Sequence, residues 1–182
     1  MSLTIFNPKR SLCLALLLSA ATAAVGGQTA GNSKAVAGTP TAAGYSLTIT
    51  PPPSPIHLGA AIEITIITTV GNHDIWWRSE KGNTAYHAFL VHLTKSGHDV
   101  AKTRFHRSLI NELRPDEVVP EDLGESSVVF DLKPRTSFDM KVNLMRLYEI
   151  TEPGSYVVSV TRYDENTKTT VRSNTVTLNI LK

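Results

Sequence analysis

Between Ala61 and Thr69 the chain alternates without a break: Ile62, Ile64 and Ile66 fall on one parity, Glu63, Thr65 and Ile67 on the other. Successive strand side chains point to opposite faces, so this parity specifies a strand with one buried face. The pattern recurs. Tyr45 to Thr50 alternates and stops at Pro51-Pro52-Pro53-Ser54-Pro55, a stiff extended bend. Gly71-Asn72-His73-Asp74 turns the chain into a short strand from Ile75 to Arg78. Asn83 to Leu93 reads as a further strand, and Ser96-Gly97-His98-Asp99 as a hairpin turn into Val100 to Phe105. Strand patterns return at Ser126 to Leu132, Ser137 to Leu144, Ser155 to Tyr163 and Thr170 to Ile180. Helix is marginal: no long segment repeats its apolar residues at helical spacing, and only Ser108 to Leu113 offers a helical turn or two. The expectation is an all-β antiparallel sandwich of about 7–9 strands.

The N-terminus is expected to leave the mature chain. Lys9 and Arg10 precede an apolar stretch beginning at Leu12, and Ala21-x-Ala23 offers a small-residue cleavage site, so residues 1–23 read as a signal peptide. An apolar core of about ten residues is too short for a bilayer that needs about 20, and no later segment is long enough to span a membrane. Residues 24–44 are mostly Ala, Gly, Thr, Ser, Asn and Gln, a flexible linker with too little apolar surface to offset its ordering entropy. Residues 45–182 form the domain. Export places the protein in the periplasm or outside the cell.

Trimming also removes functions. Cys13, the only cysteine, lies in the leader, so the mature chain has no disulfide, thiolate metal site or thiol nucleophile. Lys9 and Arg10 leave with it, and a chain of 18 basic and 16 acidic side chains becomes neutral. A neutral domain has no global electrostatic pull toward nucleic acid. No His-Glu-x-x-His, Gly-x-Ser-x-Gly or phosphate-binding glycine loop occurs, so the chain reads as a non-enzyme without cofactor. His57, His73, His87, His92, His98 and His106 show no metal-ligand spacing, and no metal site is expected.

A resemblance sharpens the fold. Leu147-Tyr148-Glu149-Ile150-Thr151-Glu152-Pro153-Gly154-Ser155-Tyr156 runs into Val157-Val158-Ser159-Val160. This acidic-Pro-Gly-x-Tyr turn before alternating valines resembles the E–F corner of immunoglobulin-like and fibronectin-type domains. There a tyrosine bonds back to the corner backbone. The resemblance gives Pro153, Gly154 and Tyr156 structural roles, and puts Val158 where antibody-type domains carry a cysteine. Arg172 to Ile180 looks like the last strand of such a domain, and Leu132-Lys133-Pro134 adds to the layout. Together these are similar to secreted bacterial Ig-like domains, some of which accompany metallopeptidases while others stand alone.

Two patterns are candidate binding residues. In Trp76-Trp77, strand alternation sends one indole to the core and the other outward, where with Arg78 it offers a contact hot spot or a sugar-stacking platform. Arg104, His106 and Arg107, with Lys102 and Arg114, form a basic group followed by Asp116, Glu117, Glu121, Asp122 and Glu125. Such neighbours usually compensate one another. The long irregular segment from His106 to Glu125 joins them as a candidate loop. The functional expectation is an exported, non-catalytic binding or structural module that contacts a protein partner. The alternatives are an inhibitor or accessory domain of a secreted peptidase, and a carbohydrate-binding module.

Overall fold

The computed structural model describes residues 43–79, 85–118 and 128–182; the expected signal peptide and most of the expected linker lie outside the described residues. The described chain is all-β, with eleven strands in three sheets, three short helices and no barrel, an arrangement consistent with a β-sandwich. One sheet runs β1 (Tyr45–Thr50), β3 (Glu63–Val70), β8 (Ser137–Asn143). A second runs β2 (Ile56–His57), β11 (Val176–Leu181), β9 (Gly154–Asp164), β5 (Leu90–Lys95), β6 (His98–Asp99), and β10 (Thr169–Arg172) also pairs with β9. The third is a ribbon of β4 (Ile75–Ser79) and β7 (Val128–Leu132). Pairing is antiparallel except for the short parallel contact between β2 and β11. The strand number exceeds the sequence expectation because β2 and β6 have only two residues each.

Alternation sets the layers. Ile64 and Ile66 of β3 are fully buried with Tyr45, Leu47 and Ile49 of β1. From the second sheet, Val91 and Leu93, Tyr156, Val158 and Val160, and Leu178 and Ile180 enter the same cluster. Burying each such aliphatic side chain is worth roughly 1.5–3 kcal/mol, and this burial holds the domain without a cross-link.

Three local expectations are corrected. Of the segment expected to be a strand from Asn83 to Leu93, Ala85–Ala88 form instead a helical turn, α1, and strand is found from Leu90, with Asn83 and Thr84 outside the described residues. Val100 to Phe105 is not a strand either. The hairpin turns at Ser96-Gly97, both at positive φ (53° and 81°), and α2 (Arg104–Leu109) starts soon after. The physical cause is an N-cap: the Thr103 hydroxyl accepts from the His106 amide at 3.2 Å and donates to the Arg146 carbonyl at 2.5 Å. Asn143 likewise caps α3 (Leu144–Leu147), accepting from the Met145 amide at 3.0 Å. Finally, Thr170 to Ile180 is two strands rather than one. At the break the Ser173 amide donates to the Val160 carbonyl and the Val160 amide donates to the Ser173 hydroxyl, both at 2.9 Å. A side chain thus stands in for backbone in the ladder. The irregularity aims Asn174 at the other sheet, where its amide accepts from Ile49 N–H at 2.7 Å and donates to Ile49 C=O at 3.1 Å.

The corner before β9 has the bond expected of it. The Tyr156 hydroxyl donates to the Glu152 carbonyl at 2.7 Å, with the ring 2% exposed. Gly154 sits at φ +144°, and a Cβ there would meet Lys95 Cε at 3.1 Å. Lys95 in turn pairs with Glu152 at 2.6 Å and lies over the Tyr156 ring. Tyr156→Phe is expected to lower unfolding free energy by about 1 kcal/mol with an unchanged denaturant slope, read by urea titration. Asn174→Leu strands both polar groups of buried Ile49 and is expected to cost about 2 kcal/mol in the same assay.

Candidate functional site

The candidate residues fall on two separate elements. Trp76 and Trp77 lie on β4, where Ile75 turns into the core and Trp76 is 61% exposed. Opposite residues in an antiparallel pair share a face. Trp76 stands opposite Asp131, and Val129, 62% exposed, is its diagonal neighbour two residues along β7. The β9–β10 turn abuts this ribbon, since Asn166 Nδ2 donates to the Trp76 carbonyl at 3.4 Å, and Tyr163 nearby in sequence is half exposed. The side chains of Trp77 and Arg78 lie outside the described residues. β4 pairs only with β7 in the described sheets, so it is not the strand beside β9; that place belongs to β5, which carries no tryptophan.

Arg104, His106 and Arg107 belong to α2, which packs on α3. Helix geometry puts residues two apart about 200° apart, so Arg104 and His106 do not share a face as they would on a strand. Arg104 is exposed and His106 is buried at 2% exposure. Arg107 is tied down: its Nε donates to Glu117 Oε2 at 3.0 Å, Nη2 donates to the other carboxylate oxygen, and Nη1 donates to the Lys102 carbonyl. This guanidinium, with the Arg114 amide, holds the Glu117 carboxyl down to about 2. Lys102 pairs with Glu112 at 2.6 Å. The basic group is therefore largely spent on its own acidic neighbours. Glu121, Asp122 and Glu125 lie outside the described residues.

His106 opens onto a feature with no local signature in the sequence. A recess of about 190 Å³ lies beside β5, with Leu93, Ile110, His106 and Tyr148 among its lining residues. Lys102, Glu112 and Asp99 add charged groups, and Leu90 and His92 come from the outward face of β5. The His106 and Tyr148 rings meet edge to face, with centroids 4.9 Å apart. The Tyr148 hydroxyl donates to the Val91 carbonyl at 2.6 Å, and burial pushes its phenol pKa up. His92 Nε2 shares a hydrogen bond with the Thr161 hydroxyl at 2.9 Å. His106 differs: its Nδ1 is buried with no hydrogen-bond partner among the described residues. Burial, helped by Lys102, holds the His106 pKa down to about 4 against a weak opposing pull from the Leu147 backbone. The ring is thus neutral at pH 7.

Among the described residues no group of three or more His, Cys, Asp or Glu is placed to hold a metal ion. No helix among them is long and apolar enough to cross a membrane. No protein-family model matches the chain, and no curated protein is significantly similar to it.

The depressed His106 pKa has a signed consequence. Between pH 6.5 and about 4 the unfolded chain binds the proton and the folded chain does not. The stabilisation is present above pH 6.5 and is lost as pH falls toward 4. His92, lowered mainly by its own burial and secondarily by Arg172, acts in the same sense. Urea midpoints measured from pH 7.5 down to 4 are expected to fall for the native chain and to fall less steeply for His106→Phe.

Proposed function

We propose that this chain is an exported, non-catalytic binding module of immunoglobulin-like type, and that it contacts a protein partner through the β4–β7 ribbon around Trp76. The observation that carries the reading is the exposure of Trp76, 61%, beside Val129 at 62% on a two-stranded ribbon. Contiguous apolar surface left in water marks interaction sites, and tryptophan is among the side chains enriched in binding hot spots. The ribbon is anchored from beneath by Ile75 and Leu132, which sit in the core, so its outer face is presented on a fixed base.

The immunoglobulin-like assignment draws support from strand order and from the corner. The three-stranded sheet β1-β3-β8 has the order of A-B-E, and β11-β9-β5 has that of G-F-C. The Tyr156 bond to Glu152 falls at the start of the strand in the F position, as a tyrosine corner requires. The fully buried Val158 takes the place of a cysteine. Sandwiches of this type host many unrelated activities, so the functional reading rests on Trp76 and not on the fold.

A second reading, a glycan platform, draws on the same indole, since a sugar ring stacks on an exposed tryptophan face. The peptidase-inhibitor reading depends on the segment running to Glu125, whose latter part lies outside the described residues. The test is a photocrosslinking residue at position 76 compared with one at Asp139, exposed on β8, in the native extracellular or envelope fraction. A protein partner is expected to crosslink at 76 and not at 139. Trp76→Ala is expected to weaken that partner's binding about 30-fold, as a hot spot of about 2 kcal/mol would, without lowering Tm. Unchanged affinity in Trp76→Ala would sink the reading, and saturable fluorescence quenching by oligosaccharides would transfer it to glycans.

A further inference from the structure

We infer that the open edge of β8 is a self-association surface, along which two copies of this chain pair antiparallel about a two-fold axis through Met140. β8 ends the three-stranded sheet, and among the described residues it pairs only with β3. Its register with β3 is unbroken from Ser137 to Asn143, so no bulge turns the edge aside. The bonds that flank the strand show which backbone groups are open. The Thr136 carbonyl accepts from the Val70 amide, and the Leu144 amide donates to the Ile62 carbonyl, both at 2.9 Å. Alternation along an antiparallel ladder then aims the backbone of Phe138, Met140 and Val142 at β3 and that of Ser137, Asp139 and Lys141 outward. The Asn143 amide also points outward, but it donates to the Tyr86 hydroxyl at 3.2 Å, which closes that end of the edge.

Charge names the occupant. Asp139 and Lys141 are exposed on one face of β8, and neither belongs to an ion pair among the described residues. A second β8 can join the edge only if outward backbone groups meet outward backbone groups, so odd-numbered residues must face odd-numbered residues. An axis through Asp139 or through Lys141 would set a charge directly against its own copy, which is destabilising. An axis through Met140 sets Asp139 opposite the partner's Lys141 and Lys141 opposite the partner's Asp139. One pattern thus yields an opposite-charge pair on each side of the axis. On the other face Phe138 comes opposite the partner's Val142, and Met140 meets the partner's Met140. Phe138 and Met140 pack on the core but remain half-buried, so pairing covers apolar surface that the edge leaves in water.

Lysine on an edge strand ordinarily discourages an incoming strand. Here Asp139, two residues away, cancels that repulsion in a single register. A strand of unrelated sequence would leave both charges without partners. The side chains that repel other strands therefore select a copy of their own.

The test is sedimentation of the full gene product, purified as the cell processes it. Reversible dimers are expected, with Kd on the order of 10 μM, as befits a contact at the small end of protein interfaces. Lys141→Glu and Asp139→Lys each place like charges opposite one another on both sides of the axis, and each is expected to weaken pairing about ten-fold or more. Both side chains are exposed, so an unchanged Tm shows that folding is intact. Mixed in equal amounts, the two variants present only opposite charges to each other and are expected to form mixed dimers at close to the native Kd. The double exchange in one chain, Asp139→Lys with Lys141→Asp, is expected to restore self-pairing to within about three-fold. Trp76→Ala is expected to leave dimers unchanged, because the edge does not depend on the ribbon. A crosslink between copies has the mass of two chains, which tells it from a partner captured at position 76. A chain that stays monomeric up to about 1 mM, dimers that persist in both single variants, or variants that fail to pair when mixed would each overturn the inference.

Discussion

The register of β9 is the constraint on which the rest of the sandwich depends. This strand pairs with β5 along one edge and with β11 and β10 along the other, so it sets the positions of three neighbours. Its inward residues Tyr156, Val158 and Val160 form the middle of the core. A slip of one residue would send all three to solvent and bring Val157, Ser159 and Thr161 inward. No disulfide guards against that slip. Three polar contacts do so instead: the Tyr156 hydroxyl at one end, the Ser173 exchange with Val160 in the middle, and Asp164 at the far end, which accepts from the Thr167 amide at 3.1 Å. Each fixes a different residue of β9 to a neighbouring turn or strand, so together they leave one alignment.

The parts of the fold legible in the sequence are those written in local parity. β1, β3, β8 and β9 are readable because six to eleven residues alternate between apolar and polar, long enough to define a period. The corner is readable because Pro153, Gly154 and Tyr156 act within one turn. The short helices are not readable, since four or six residues make too few turns for any apolar repeat to show. Thr103 was the available clue to α2, and it acts through a side chain whose second bond is to Arg146, far along the chain. The break at Ser173-Asn174 is hidden for the opposite reason: the two-residue period of β10 and β11 reads as continuous across it.

The candidate site divides along the same line. Strand alternation leads one to expect an exposed member in Trp76-Trp77, and Trp76 is exposed. The place of His106 does not follow from anything nearby in sequence. It lies buried against Tyr148, which arrives from the end of a different helix, while its neighbours Arg104 and Arg107 remain respectively exposed and paired. The surface ion pairs around α2 contribute little stability individually. Their effect is positional, because Arg107 holds the Lys102 backbone and the chain at Glu117 to a single helix.

Asn174 gives the molecule a polarity that matters when many copies meet. By filling both backbone valences of Ile49, it interrupts β1 as a template for an incoming strand, whereas β8 ends its sheet at the other side. Growth of a filament by sheet edges needs two receptive edges per molecule, one for each neighbour. With β1 interrupted at Ile49, this three-stranded sheet keeps β8 as its one uninterrupted edge among the described residues, so edge-to-edge growth through this sheet stops after a single partner.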